Sequence, residues 1–552
     1  MDKKNYKYWP EKIDIPNVPL QSILEESAKK YPNKTYVVFH GVEKTFGEIN
    51  EMADRFANAL ISLGVKKGDK VAIFLPNLPH YPIVFFGTLK AGAVNVTCNP
   101  TYTDKELAFQ LGDSGAKTLI VLDHPKFHPA AMKAIKESPV NNVIICSIKD
   151  FLPKVKAVLG GLLGKIPKSP EPLDPKHRKF QEIMKSYAAI APNVNINPSE
   201  DLGLLLYTGG TTGTPKGAML THKNFVSNVY QLTNVMYPPV EFGNEVYLGA
   251  LPWFHSYGLT TCMLAAAYHA AKVVCIPDPR AGDPPFTELL ELTEKYKPTY
   301  FHAVPTLYGA LLNHKDIKKY NLRSIKACLS GAAPLPKQVM SDFEAVSGAN
   351  VVEGYGLTET SPVATVNPLK EGKRPGSIGL PIPNTELKVF DIDTGKELGL
   401  NETGEIAIRG PQVMKGYYGR EKETAEAIDR SGLFKTGDIG HFDEDGFFFI
   451  TDRKKDMIIV GGFKVYPRDV EEVLFQHSSV ANAAVIGIPD QHSGEKVKGF
   501  VVFKPGMTAT ESELITFCKD KLAPYKIPKS IEVRIELPQT AIGKVLRRKL
   551  RE

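Results

Sequence analysis

Short apolar runs alternate along this chain with segments patterned for amphipathic helices, and that alternation narrows the fold more than any other feature. Val71-Ala-Ile-Phe-Leu75, Leu119-Ile-Val-Leu122 and the run Leu202 to Leu206 carry no charge. Such runs read as strands buried on both faces. Helical signals stand between them. Thr45 and Glu48 form a capping box, after which Phe46, Ile49, Ala53, Phe56, Leu60 and Leu63 recur at helical spacing until Gly64. Thr103 and Glu106 form a second box. Repeated strand–helix–strand units predict an α/β fold, with a large N-terminal domain of two parallel-rich sheets flanked by helices.

The texture changes near residue 385. Leu387-Lys-Val-Phe390 and Gly404-Glu-Ile-Ala-Ile-Arg409 predict a small β subdomain. A last unit follows the charged tract Asp452-Arg-Lys-Lys-Asp456, which reads as a solvated hinge. It holds a helix from Arg468 to Gln476, strands from Ala483 to Ile488 and Val497 to Phe503, a helix from Ser512 to Leu522, and a strand from Ile531 to Leu537. The expected division is residues 1–454 and a smaller, mobile α+β C-terminal domain over 455–552. At 552 residues the chain is long enough for two or three domains.

Composition excludes several classes. No apolar run is long enough to span a bilayer, and the N-terminus leads into Trp9-Pro10 rather than an apolar signal core, so the expected location is cytoplasmic. The six cysteines are scattered with no CxxC spacing, which points to reduced thiols rather than a disulfide framework or a zinc site. A net charge of +7, spread along the chain, suits anionic small molecules and makes no case for nucleic acid.

Residues 207–217, Tyr-Thr-Gly-Gly-Thr-Thr-Gly-Thr-Pro-Lys-Gly, carry the strongest chemical signal. Gly209, Gly210 and Gly213 let backbone N–H groups approach an anion. Thr208, Thr211, Thr212 and Lys216 add donors suited to a nucleotide triphosphate. The stretch is not a Walker A sequence, because Lys216 lies between Pro215 and Gly217 rather than between Gly and Ser/Thr. Alone it also fits a surface turn.

This stretch resembles the phosphate loop of the adenylate-forming superfamily, which holds acyl- and aryl-CoA synthetases, nonribosomal peptide synthetase adenylation domains and firefly luciferase. Six more segments similar to the superfamily's occur in order: Leu251-Pro-Trp-Phe-His-Ser-Tyr-Gly258, Ser330-Gly-Ala-Ala-Pro334, Gly354-Tyr-Gly-Leu-Thr-Glu-Thr360, Thr436-Gly-Asp438, Asp452-Arg-Lys-Lys-Asp456 and Pro538-Gln-Thr-Ala-Ile-Gly-Lys544. The whole pattern is similar to medium- and long-chain fatty acid–CoA ligases.

The resemblance implies an ATP-dependent acyl-CoA synthetase that uses Mg²⁺ and CoA, forms an acyl-adenylate and pyrophosphate, and then transfers the acyl group to CoA. It implies that Thr208, Gly209, Gly210, Thr211, Thr212, Gly213 and Lys216 cradle phosphates, that Glu359 and Thr211 serve Mg²⁺, and that Thr358 donates to the α-phosphate. Tyr355 is expected on adenine, with Ala332, Ala333, Glu353 and Gly354 as walls. Asp438 is expected on the ribose hydroxyls, and Arg453 near ribose or phosphate. Lys544 is implied to bridge carboxylate and α-phosphate. The C-terminal domain is implied to rotate about Lys455, bringing Gly461 and Gly462 to the pantetheine arm. Trp253, Phe254, His255, Tyr257, Gly258, Gly331 and Gly356 are implied to line the acyl pocket.

Plainer readings stand beside these. Glu359 fits a solvated loop, Asp438 a turn and Lys544 a basic surface tail. His255 fits a pocket wall, a gate or a buried structural histidine. Ile542 stands where Ser or Thr is usual, and Ile459 where luciferase has a lysine. A carboxylate substrate needs no deprotonation at neutral pH, so a general base is not required. An aryl- or hydroxyacyl-CoA ligase (4-coumarate or 4-hydroxybutyrate type) is the rival enzyme. A non-catalytic nucleotide- or lipid-binding homologue is the rival of another class.

Residues 151–166, Phe-Leu-Pro-Lys-Val-Lys-Ala-Val-Leu-Gly-Gly-Leu-Leu-Gly-Lys-Ile, mix apolar residues and lysines without acids. They read either as a surface insertion packed on its own domain or as a segment touching an anionic lipid surface at the inner face of a membrane. The remaining partner expectations are a small carboxylate and a homodimer.

Overall fold

The computed structural model describes residues 7–164, 166–208, 214–369, 371–490, 493–540 and 545–551. Packing divides the chain into two units, residues 1–386 with 409–432 and residues 387–408 with 433–552.

The first unit is built on an eight-stranded sheet. From one edge its strands run Gly416–Tyr417, Lys216–Thr221, Leu202–Thr208, Val94–Thr97, Lys70–Phe74, Thr118–Leu122, Asn142–Cys146 and Arg178–Lys179. Strands from Leu202–Thr208 onward pair in parallel, while the first two join antiparallel. The central strands are buried on both faces, as their apolar runs require. A second sheet orders Val246–Gly249, Lys272–Cys275, Thr35–Phe39 and Val42–Thr45. A third orders Ala327–Ser330, Asn350–Gly356, Val363–Val366 and Leu380–Pro381. Single bridges through Tyr300 connect Tyr247 to Ala327 between the last two sheets.

Both capping boxes form. The Thr45 hydroxyl accepts the Glu48 amide at 3.2 Å and the Glu48 carboxylate accepts the Thr45 amide at 2.8 Å, which starts the helix Phe46–Ser62. That helix lies on His80–Lys90, a helix buried along its whole length. Gly87 permits the approach, since a Cβ there would come within 2.8 Å of the Ala53 carbonyl oxygen. Buried Lys90 is paired with Asp54 at 2.5 Å, which keeps the charge satisfied.

The second unit contains a sheet in the order Glu386–Phe390, Gly404–Arg409, Phe434–Phe442 and Phe448–Arg453, the last three antiparallel. Its other sheet holds Phe463–Val465, Ile458–Val460, Gly494–Phe503 and Val480–Asp490, with Ser530–Val533 parallel to Gly494–Phe503. Helices Pro467–Phe475 and Glu511–Lys519 cover it through Val470, Leu474, Leu514 and Cys518. The last strand ends at Val533, earlier than the apolar pattern suggests. Ile535 is 98% exposed, and Leu537 turns into a separate cluster with Ile486, Phe500 and Leu550.

All six cysteines are buried and unpaired. No helix among the described residues is long and apolar enough to cross a membrane. The helix Lys154–Leu162 forms within the 151–166 segment, and its apolar residues face outward: Val155, Val158, Leu159 and nearby Leu163 are all more than half exposed.

Candidate active site

Within the first unit, the candidate residues gather over the carboxyl ends of parallel strands, the usual ligand side of such sheets. Thr208 ends Leu202–Thr208, and Lys216 opens the next strand directly opposite it. The glycine-rich loop therefore joins two antiparallel strands, whereas a Walker A loop leads into a helix. Residues 209–213 themselves, and with them Gly209, Gly210, Thr211, Thr212 and Gly213, lie outside the described residues.

The segment 251–258 is tied to the same edge. Asn77, just beyond Lys70–Phe74, donates to the Gly249 and Leu251 carbonyls at 2.9 and 2.8 Å and accepts the Trp253 amide at 2.9 Å. Thr97 donates to the Phe254 carbonyl at 2.7 Å, and Tyr81 to that of Trp253 at 3.1 Å. Trp253 is fully buried, with the Tyr81 ring edge-on at 5.9 Å. His255 Nδ1 accepts the Tyr257 amide at 3.2 Å, placing the proton of a neutral ring on Nε2. The histidine thus caps the short helix Ser256–Gly258. Gly258 packs against the Leu251 and Pro252 carbonyls, where a Cβ would clash.

Tyr257 joins this segment to the third sheet. Its hydroxyl donates to the Leu329 carbonyl at 2.5 Å and lies 3.3 Å from that of Ala303. Burial raises its pKa well above the usual tyrosine range. A Cβ on Gly331 would sit 3.1 Å from the Tyr257 ring. Ala332 next to it holds φ +67, a left-handed conformation that costs a non-glycine residue about 1 kcal/mol, and Ala333 is half-buried. Glu353 is buried and accepts the Leu335 amide at 3.3 Å. Gly354, Tyr355 and Gly356 end the strand Asn350–Gly356, with the Tyr355 side chain half-buried. Thr358 and Glu359 follow in a single 3₁₀ turn, which Thr260 fastens by donating to the Ser361 carbonyl at 2.7 Å.

Tyr417 brings Lys216 and the buried carboxylate Glu359 together. Its hydroxyl donates to Glu359 Oε1 at 2.9 Å, and Lys216 Nζ stands 5.5 Å from its ring centroid. Burial, followed by the Glu359 charge, raises the Tyr417 pKa. Lys216 also lies 3.9 Å from Glu423. A carboxylate of low exposure beside an ammonium fits a Mg²⁺–triphosphate group: the hard oxygen suits the cation and the lysine suits the phosphates. Among the described residues no group of three or more His, Cys, Asp or Glu is arranged to hold a metal ion.

Asn77, Tyr81, Tyr417 and Glu423 escape a reading of the sequence. Gly416-Tyr-Tyr-Gly419 has the look of a turn, and only its pairing with Lys216–Thr221 carries Tyr417 to Glu359. Two glycine-bounded aromatics on an edge strand are the sole signal.

In the second unit, Asp438 and Arg453 are cross-strand partners. Asp438 is buried, and Arg453 Nε lies 3.1 Å from its Oδ1. The Asp438 amide donates to the Thr436 hydroxyl at 3.0 Å. Lys455 is exposed beside them in sequence. Gly461 and Gly462, at φ +57 and +85, form the tip between Ile458–Val460 and Phe463–Val465, a conformation glycine adopts without penalty. Lys544 lies outside the described residues.

The family model for AMP-binding enzymes matches residues 24–418, and the model for their C-terminal domain matches 469–544. The chain belongs to the AMP-binding enzyme family. Over 546 residues this AMP-binding protein is 44% identical to the long-chain-fatty-acid–CoA ligase of Bacillus subtilis (strain 168), covering 98% of this chain and 96% of that one. It is 40% identical to the ligase of the same name from Salmonella typhimurium, covering 97% and 94%. Among solved structures, ATP-bound MatB from Rhodopseudomonas palustris superposes with TM-score 0.83 at 28% identity, covering 97% and 98%. A fatty acyl CoA synthetase of Mycobacterium tuberculosis gives 0.73 at 28%, covering 97% of each chain.

Proposed function

We propose that this AMP-binding enzyme is an ATP-dependent acyl-CoA synthetase whose acid substrate is a medium- or long-chain fatty acid. One observation carries the reading: Lys216 of the phosphate loop and buried Glu359 meet on a single tyrosine, Tyr417. They do so in a chain similar over 98% of its length to a long-chain-fatty-acid–CoA ligase.

In the first half-reaction a carboxylate oxygen of the acid attacks the α-phosphorus of ATP. The bond from that phosphorus to the bridging oxygen breaks, and pyrophosphate departs with the electron pair. In the second, the CoA sulfur attacks the acyl carbon, the bond to AMP breaks, and the thiol proton is released. Both first reactants are anions, so the protein must supply cations and oriented dipoles where charge accumulates. Lys216 and the 208–216 loop meet the departing phosphates, and Thr358 the α-phosphate. Glu359, with help from Thr211, would hold Mg²⁺, which when bound would supply positive charge to the phosphates. Lys544 bridges the two reacting oxyanions. Asp438 and Arg453 hold the ribose side, and Tyr355 stacks on adenine against Ala332, Ala333, Glu353 and Gly354. Trp253, Phe254, His255, Tyr257, Gly258, Gly331 and Gly356 shape the acyl pocket. The 455–552 segment swings about Lys455 so that Gly461 and Gly462 admit the pantetheine arm.

Incubation of the enzyme with ATP and dodecanoate or palmitate, with and without CoA, tests this. AMP release that requires both acid and CoA is expected, and ADP release overturns the mechanism. A chain-length series with benzoate and 4-hydroxybutyrate reads the acid class; faster turnover of either than of every fatty acid overturns that part.

The coat of exposed valines and leucines on Lys154–Leu162, with Lys149 and Lys156 near it, further supports peripheral contact with anionic lipid. The full chain is expected to co-sediment with phosphatidylcholine–phosphatidylglycerol vesicles, and a variant lacking 152–166 to stay in solution. Equal behaviour of the two removes the proposal. Sedimentation equilibrium of the vesicle-free enzyme reads the homodimer, also proposed.

A further inference from the structure

The second unit contains an ion cluster that none of these steps uses. Arg547 Nη2 donates to both oxygens of Glu471 at 2.9 and 3.0 Å. Its Nη1 donates to Asp456 Oδ2 at 3.2 Å and lies 4.0 Å from Asp452 Oδ1. All three carboxylates are largely buried, with side chains 3–12% exposed, so their charges depend on this guanidinium, aided at Asp456 by Arg551 at 3.7 Å. Two of them, Asp452 and Glu471, are also oriented by backbone. Asp452 Oδ1 accepts the Arg453 amide at 2.6 Å and its Oδ2 the Arg468 amide at 2.7 Å, while Glu471 Oε1 accepts the Val485 amide at 2.8 Å.

The chain positions of these groups give the cluster its meaning. Asp452 and Asp456 flank Lys455, and Glu471 stands on the helix that follows. Arg547 stands three residues after Lys544. The loop carrying Lys544 is closed at its base, where Gln539 bridges Val545 and the Leu546 amide donates to the Pro538 carbonyl at 2.7 Å. Leu550 then enters the core. The guanidinium fastens that base to the 452–456 tract, with the more exposed Arg551 adding a second pair to Asp456 Oδ1 at 3.7 Å.

We propose that Arg547 is a positioning residue for adenylation: its grip on Asp452, Asp456 and Glu471 couples the base of the Lys544 loop to the hinge tract. The inference rests on the roles given above to Lys544 and Lys455. Lys544 serves only the first half-reaction, so loosening its loop selectively damages that half. A cluster that merely supported the fold would affect both halves alike, because the same C-terminal segment serves both.

The test measures the half-reactions separately on the full-length enzyme. The first is dodecanoate-dependent exchange of labelled pyrophosphate into ATP; the second is transfer from synthetic dodecanoyl-AMP to CoA. Arg547→Gln is expected to lower the first between about 10- and 100-fold, the range a small misplacement of a reacting group costs, and to leave the second within about threefold. Equal loss in both, or no loss in the first, overturns the inference. Should Arg547→Gln not yield folded protein, Arg547→Lys decides by the same criterion. It keeps the charge but lacks the planar fork, so a smaller loss confined to the first half is expected. Lys544→Ala is the reference. If it leaves exchange intact, the assigned role of Lys544 falls and this inference with it. If it abolishes exchange while the Arg547 variants do not, the coupling alone is refuted.

Discussion

Lys544→Ala is expected to reduce acid-dependent exchange of pyrophosphate into ATP by about 10²-fold or more, with transfer from pre-formed acyl-AMP to CoA kept within a few-fold of the parent. The asymmetry follows from where charge develops. In adenylation a carboxylate approaches a phosphate, and negative charge rises on the non-bridging oxygens of the α-phosphorus. A cation placed between them lowers that barrier directly, whereas Thr358, proposed at the same phosphate, is a neutral donor. Lys216 is committed elsewhere: it lies over Tyr417 and near Glu423, at the loop that meets the departing phosphates. In thioester formation the electrophile is an acyl carbon and the leaving group is AMP; on the proposed reading the 455–552 segment has by then swung about Lys455 and taken Lys544 from the acid–phosphate junction, so the charge returning to AMP is met by other groups. Lys544→Glu should be still poorer in exchange, because it adds an anion where two already repel. Undiminished exchange in either variant would remove the charge argument at its root.

The fold was legible wherever local signals agreed with burial. The boxes at Thr45 and Thr103 start helices where they stand, because each reciprocal bond needs only residues three apart. The uninterrupted runs at 71–75 and 119–122 fall on the central strands Lys70–Phe74 and Thr118–Leu122, whose successive residues are buried on both faces. The C-terminal strand is shorter than its pattern suggests: Ile531, Ile535 and Leu537 look like one apolar strip, yet Ile531 enters one cluster, Leu537 another, and Ile535 neither. Residues 151–166 were legible as amphipathic but not in orientation, since periodicity gives a face and not what it meets. Tyr417 stayed hidden for a different reason. Its contact with Glu359 spans 58 residues of sequence and exists through strand pairing at a sheet edge. Arg547 likewise reads as one charge in a basic tail until three distant carboxylates are seen around it.

Gly356→Ala is expected to destabilise the first unit by about 3 kcal/mol, the upper part of the usual cost of overpacking, and to lower adenylation beyond what the loss of folded protein explains. Gly356 is exposed, so its surface area alone suggests tolerance. The direction its Cβ would take tells otherwise. The new carbon would land on the Pro362 carbonyl oxygen, 2.6 Å from the Pro362 carbonyl carbon and 3.0 Å from the Val363 Cα. These are backbone atoms of the segment paired with Gly356, at an irregularity in the register between Tyr355 and Gly356. Relief requires one strand to move off the other, and the turn bearing Thr358 and Glu359 lies between them. Gly354→Ala is the control. Its Cβ would meet the Leu329 Cδ1 at 2.7 Å, the end of a flexible side chain, with the Thr365 carbonyl oxygen at a less severe 3.3 Å. Rotation of Leu329 relieves most of that contact, so the cost should be distinctly smaller. Thermal unfolding of both variants decides the matter: a drop for Gly356→Ala no larger than for Gly354→Ala would show that the 356–363 pairing yields freely, and that the position of Glu359 does not depend on it.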